Sequence, residues 1–244
     1  MTQTQLIEKL TAPSPGLDMM KRLEGDILVL GAGGKMGPTL CELCANAVRA
    51  SGVARRVMAV SRWSDAAQRE QLNKVGVETI SADLMDDAQL AALPDCPNVI
   101  YMVGLKFGTT GNEGATWAMN VYLPGRVAQR YKDSRIVVFS SGNIYPYLPI
   151  NQGGATENTD LVPVGEYAMT CLGRERVFDY YSRLNNTPMS YYRLSYAVEM
   201  RYGVLYDIAS MVHNGTPIPM DMGFFCCIWQ ALSRFWNTKH SIYG

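Results

Sequence analysis

The stretch Asp26-Ile27-Leu28-Val29-Leu30-Gly31-Ala32-Gly33-Gly34-Lys35-Met36-Gly37 decides the fold. Its first five residues are almost all apolar, as in a parallel strand covered on both faces. Glycines follow at 31, 34 and 37, and a helical pattern then runs from about Met36 to Ser51. At a strand-to-helix junction each glycine has its own task. Gly31 lets the chain turn sharply off the strand. Gly34 lets the backbone approach a pyrophosphate. Gly37 lets helix and strand pack closely. The helix that opens here aims free N–H groups and the positive end of its dipole at the phosphates. A lone glycine pattern is weak, but a strand before it and a helix after it supply the context it requires. The junction therefore predicts a bound dinucleotide contacted by Gly31, Gly33, Gly34, Lys35, Met36 and Gly37. A ligand-free βα turn and an S-adenosylmethionine site are the competing readings.

Working outward, apolar strands are expected at 56–60, 77–80, 98–103, 135–139 and 189–194. Helices are expected between them, at 64–75, 86–92, 116–131 and 166–183, with shorter ones at 3–10 and 201–214. Strands alternating with helices through short connections make parallel βαβ units. The fold class is α/β: a doubly wound parallel sheet of Rossmann type, of strand order 3-2-1-4-5-6, with a small, partial C-terminal substrate lobe. Ligand belongs at the carboxyl ends of strands one and four, where the order reverses. The expected divisions are a helical extension over 1–24, the dinucleotide-binding domain over 25–198 and the partial lobe over 199–244.

Composition narrows the partners. The 244 residues carry 22 basic and 22 acidic side chains, so no net field draws in nucleic acid. No apolar run is long enough for a membrane span, and the charged start, Met1 to Glu24, lacks the apolar core of a signal peptide. The expectation is a cytoplasmic protein with a small-molecule substrate and no nucleic acid or membrane. Cys41 and Cys44 form a Cys-x-x-Cys inside a helix, with no second Cys or His pair nearby. They read as two small buried residues, and no metal is expected.

The end of the second strand discriminates between cofactors. A site for NAD usually has an acid there, to bond the ribose hydroxyls; this chain has Ser61-Arg62. An arginine can pair bidentately with a 2′-phosphate, and Lys35 adds charge nearby. The expected cofactor is NADP, with NAD as the alternative.

Further segments appear in order. Ser81-Ala82-Asp83-Leu84 follows strand three, Asn98-Val99-Ile100-Tyr101-Met102-Val103-Gly104 forms strand four, and Asn120-Val121 lies in the next helix. Ser140-Ser141-Gly142-Asn143-Ile144-Tyr145-Pro146 follows strand five, and Glu166-Tyr167 opens the long helix. This set resembles the extended and atypical short-chain dehydrogenase/reductase family, which includes the NAD-dependent epimerase/dehydratases, over about residues 26–220. The resemblance implies that Asp83 and Leu84 contact adenine and that Val103 and Gly104 run under the cofactor. It also implies that Ser141 polarises a substrate oxygen, that Tyr167 is the general acid/base and a cofactor contact, and that Asn120 is a third catalytic residue. Tyr145, Asn143 and Arg193 are candidates to line the pocket. Homodimerisation through the Tyr167 helix is implied by resemblance alone.

One departure matters. Four residues after the tyrosine the family has lysine, and here stands Cys171. The family's ammonium lowers the tyrosine pKa and bonds the nicotinamide ribose. An unperturbed tyrosine has a pKa near 10, so ionising it at pH 7 costs roughly 4 kcal/mol. Neutral cysteine leaves that cost in place. Arg174, seven residues from Tyr167, lies near the same helix face. It reads either as a substitute cation or as a surface arginine paired with Glu175 or Asp179. Two functional readings stay open. One is an NAD(P)-dependent oxidoreductase, epimerase or dehydratase acting on a carbonyl or sugar-like substrate. The other is a non-catalytic NADP-binding sensor or scaffold of the same fold. A Rossmann methyltransferase is a weaker third. Past Gln230 the helix and strand expected of an extended member are absent, and Phe224, Phe225, Trp229, Phe235 and Trp236 crowd together. The expectation there is a truncated or altered end.

Overall fold

The first strand, β1 (Ile27–Leu30), is buried along its whole length, as its unbroken apolar run requires. The computed structural model describes residues 2–12, 17–106, 108, 110–148, 154–195 and 203–218. Two short helices, α1 (Gln3–Leu10) and α2 (Leu17–Arg22), precede β1. After it come α3 (Gly37–Ser51), β2 (Val57–Ser61), α4 (Ala66–Lys74), β3 (Glu78–Ser81), α5 (Asp87–Ala92) and β4 (Asn98–Tyr101). Then follow α6 (Glu113–Trp117), a π-turn at Ala118–Tyr122, α7 (Leu123–Arg130), β5 (Arg135–Ser141), α8 (Glu166–Asn185), β6 (Met189–Leu194) and α9 (Val204–His213).

The six described strands form one parallel sheet in the order β3-β2-β1-β4-β5-β6. The register places Leu28 beside Met58 and Val99, so side chains at alternate positions share a face. On one face Leu28, Leu30, Val60, Tyr101 and Val138 meet Leu90 of α5, Leu123 and Val127 of α7 and Phe178 of α8. On the other, Val29, Ala59, Ile100 and Phe139 meet Cys41, Cys44 and Val48 of α3, with Met20 added from α2. Two buried layers on one sheet fix the reversal of strand order between β1 and β4, and with it the place of the site.

Local chemistry explains the element boundaries. Asp65 accepts hydrogen bonds from the N–H groups of Ala67 and Gln68 and so starts α4 two residues later than the apolar pattern alone places it. Asn186, in the left-handed region at φ 55°, ends α8 beyond the expected Arg183. The helix expected over 116–131 is interrupted. Pro124 has no N–H, and its ring crowds the carbonyl four residues back. The chain takes one wide turn instead, with the Leu123 N–H bonded to the Ala118 carbonyl.

Helix α9 accounts for Val204–His213 of the helix expected over 201–214, and Arg201 lies outside the described residues. The lobe expected over 199–244 is described only at 203–218; the aromatic stretch from Phe224 onward lies outside. Among the described residues no helix is long and apolar enough to cross a membrane.

Candidate active site

The glycine junction is shaped by its neighbours. Gly31 sits at φ 84°, and a Cβ there would come within 2.9 Å of the Val103 amide nitrogen, so the turn off β1 packs against the exit of β4. Gly37 is tighter still: a Cβ would lie 2.1 Å from the Ala32 carbonyl oxygen. Gly33 packs against Ser61 at the end of β2, where a Cβ would meet the hydroxyl at 2.4 Å. Gly34 differs. It is exposed, and its nearest neighbour would be the Gly31 carbonyl oxygen at 3.4 Å, so bare backbone faces outward. Helix α3 begins at Met36 with no side-chain cap, leaving its first N–H groups without a side-chain acceptor. Lys35 is partly exposed beside them.

At the end of β2, Ser61 is half-buried and Arg62 exposed. Between them and α4 stands Trp63, buried and left-handed at φ 51°, with its indole N–H donating to the Ile80 carbonyl at 2.8 Å. This ring pins the β2–α4 turn and leaves Arg62 outside. Sequence reasoning missed Trp63, because nothing local marks a tryptophan for positive φ. Asp83 is partly exposed and accepts from the Met85 N–H, while Leu84 is buried in the core. Val103 and Gly104 follow β4 beside the glycine turn, Val103 against Gly31 and Gly104 against Arg174.

At the same carboxyl end of the sheet, β5 ends at Ser141 and α8 begins at Glu166, bringing Ser141 and Tyr167 together. The Ser141 hydroxyl accepts from the Asn143 N–H at 3.2 Å and lies near the Tyr167 phenol. Cys171, one helical turn on, is wholly buried beside that phenol. Burial pushes the Tyr167 pKa above its ordinary value; the Cys171 thiol adds to the rise, and Arg174 and Ser141 oppose it. Burial also raises the Cys171 thiol, so the neutral form is favoured.

Asn120, expected to be catalytic, is completely buried in the π-turn with its amide engaged throughout. Its oxygen accepts from the Leu105 N–H at 2.7 Å and from Arg174 at 3.0 Å. Its nitrogen donates to the Leu105 carbonyl at 3.0 Å and to Thr170 at 2.9 Å. The amide clamps the loop after β4 onto α8. Arg174 is neither at the surface nor paired with its neighbours: Glu175 is bonded to Arg193 at 2.8 Å, and Asp179 to Arg183 at 3.0 Å. Arg193 also donates to the Tyr145 hydroxyl at 2.8 Å, which ties β6 to the segment after β5, whereas Asn143 is exposed. Leu105 and Thr170 were not legible as site-building residues, since their partners lie 15 and 50 positions from them.

The glycine cradle, the uncapped helix start and the hydroxyl pair lie at the carboxyl ends of the parallel strands and fit a dinucleotide reaching from β2 toward α8. A model of the NAD-dependent epimerase/dehydratase family matches residues 27–201. No curated protein matches the sequence. Among solved structures, a UDP-glucuronic acid 4-epimerase from Bacillus cereus in complex with NAD is similar at TM-score 0.63 and 18% identity, over 79% of this chain and 64% of that one. A dTDP-glucose 4,6-dehydratase from Streptomyces venezuelae with NAD bound is similar at TM-score 0.67 and 18% identity, over 80% and 64%. A short-chain dehydrogenase/reductase superfamily protein from Agrobacterium tumefaciens with bound NAD is similar at TM-score 0.56 and 21% identity, over 78% and 59%. The chain thus spans less than two thirds of the length of these structures, and the likeness is one of fold.

Proposed function

The chain belongs to the NAD-dependent epimerase/dehydratase family, and from that premise we propose that it is an NAD(P)-dependent oxidoreductase, epimerase or dehydratase acting on a carbonyl or sugar-like substrate. The observation that carries this reading is the meeting of Ser141 and Tyr167 at the carboxyl end of the sheet that also holds the glycine cradle. Gly31, Gly33, Gly34, Lys35, Met36 and Gly37 hold the diphosphate; Ser61, Arg62, Asp83 and Leu84 hold the adenosine end; Val103, Gly104 and Tyr167 flank the nicotinamide end. Arg62, exposed and with no acid beside it at the end of β2, favours NADP over NAD.

When bound, the nicotinamide supplies the hydride acceptor or donor. The residues of this chain handle the proton. Ser141 hydrogen-bonds the reacting substrate oxygen. Tyr167 takes the hydroxyl proton as that carbon is oxidised and returns it on reduction. Asn120 acts as a positioning residue, holding the loop after β4 against α8. The substrate class is a sugar nucleotide by analogy with the solved relatives, one of which is described in complex with UDP-glucuronic acid. The face formed by Trp117, Val121, Tyr122, Tyr180 and Tyr181 on the π-turn, α6 and α8 is the pairing surface for a second copy.

A second reading has its own support. Burial holds Tyr167 protonated, and Cys171 offers it no charge. A protein that binds NADP without turnover, as a sensor or scaffold, fits those facts. Product analysis with a panel of nucleotide sugars, run beside nicotinamide absorbance, separates the two, because an epimerase or dehydratase restores its nicotinamide at each turnover. Conversion of a sugar or net nicotinamide turnover supports the enzyme; cofactor binding without conversion across the panel supports the sensor.

A further inference from the structure

The most unusual charge in the described structure is Arg174. It is 6% exposed, yet no carboxylate among the described residues lies within salt-bridge distance. One guanidinium nitrogen donates to the Phe139 carbonyl at 2.9 Å and the other to Asn120 Oδ1 at 3.0 Å, and the buried Nε has no partner among the described residues. The group lies 5.9 Å from the centre of the Tyr101 ring and presses against Gly104, where a Cβ would come within 2.6 Å. A buried cation held only by neutral acceptors is costly, and a neutral side chain of similar volume would avoid that cost. Such a group is a candidate for function.

Its position supplies the function. Tyr167, Cys171 and Arg174 share one face of α8 at spacings of four and three. The clamp runs from Arg174 through Asn120 to Thr170, whose hydroxyl donates to the Tyr167 carbonyl at 2.8 Å. We infer that Arg174 is a positioning residue that supplies, from beneath the site, the positive charge the family carries at the position of Cys171. It acts through its field on Tyr167 and does not touch the substrate. The inference rests on the reading of Tyr167 as the acid/base. Arg174 lowers the pKa of both Tyr167 and Cys171, against the burial that raises them. The other groups facing this pair are Ser141 from β5, Lys106 from the loop after β4, and Glu175 on α8, whose charge is matched by Arg193.

The test replaces Tyr167 by site-specific incorporation of a trifluorotyrosine, whose phenol ionises near neutral pH, and follows the phenolate absorbance of the apo protein. Arg174→Gln should raise the titration midpoint by about one pH unit or more, a tenfold weaker acid. Arg174→Met serves if the glutamine variant does not fold, because it fills the space without leaving polar atoms unpaired. Arg174→Lys, which keeps the charge, should hold the midpoint near that of the parent. An unchanged midpoint in a folded neutral variant overturns the inference, as does a rise that appears with Lys106→Met and not with the Arg174 variants. The titration needs neither cofactor nor substrate, so failure to bind NAD(P) or to turn over would count against the functional reading alone.

Discussion

Gly37 and Ala32 lie so close that a Cβ on Gly37 would sit 2.1 Å from the Ala32 carbonyl oxygen and 2.6 Å from its carbonyl carbon. Helix α3 can therefore start where it does only if residue 37 has no side chain. The contact is backbone to backbone, and nothing flexible can yield. Gly37→Ala should push α3 off β1, destabilise the fold by about 1–3 kcal/mol and weaken dinucleotide binding at least tenfold. Gly34→Ala is the contrast: its nearest contact is 3.4 Å, so melting temperature should hold while affinity falls. Thermal melts and cofactor titrations on both variants check the pair. Equal melting losses would show that Gly34 is structural too.

Arg62→Ala should weaken NADPH binding by about 1–3 kcal/mol, the cost of losing a charged hydrogen bond, and leave NADH binding unchanged. Arg62 is exposed, so the fold should not respond. Equal losses for both cofactors would remove the basis for the NADP preference.

Tyr167→Phe should abolish turnover and leave cofactor affinity near wild type. Because burial raises the Tyr167 pKa, the oxidative rate of the wild type should still be climbing at pH 9. A plateau near neutral pH would mean that the tyrosine is already ionised there, by a stronger field than its described neighbours provide.

Burial raises the Cys41 thiol well above its usual pKa and the Cys44 thiol to about 12. Each binds its proton more tightly folded than unfolded, so this stability is fully present below the unfolded thiol pKa and is lost as pH rises beyond it. Urea melts under reducing conditions should show a loss of about 1–3 kcal/mol between pH 8.5 and 9.5. Cys41→Ala/Cys44→Ala should lessen that slope, the buried Cys96 and Cys171 thiols keeping the remainder; an unaltered slope would place its origin elsewhere.

Tyr180 is 61% exposed on the proposed pairing face. Tyr180→Asp should shift a dimer toward monomer in sedimentation velocity without lowering the melting temperature of the monomer. A wild type that sediments as a monomer at every concentration would remove the pairing surface.

The sheet was legible because its strands are short apolar runs buried on both faces, and a run such as Ile27–Leu30 has few other places to go. The glycine junction was legible because positive φ at Gly31 and contact at Gly37 leave a residue-type signature. The partners of Arg174 were not. Its helix-face spacing pointed toward Tyr167, but its burial depends on Asn120 and Phe139, 54 and 35 positions away. Asn120 itself read as catalytic because its type matched the family. Its full engagement with Leu105, Thr170 and Arg174 exists only once the loop after β4 folds back. The π-turn had a visible cause in Pro124, which the apolar period of the surrounding helix masked.

The most direct test of the account is a titration of the protein with NADPH and with NADH, followed by tryptophan fluorescence. Trp63, anchored to Ile80 beside Ser61 and Arg62, is a built-in reporter. A saturable change is expected with both cofactors, tighter for NADPH, and strongly weakened in Gly34→Ala. No saturable change with either cofactor, in protein that melts cooperatively, would contradict it.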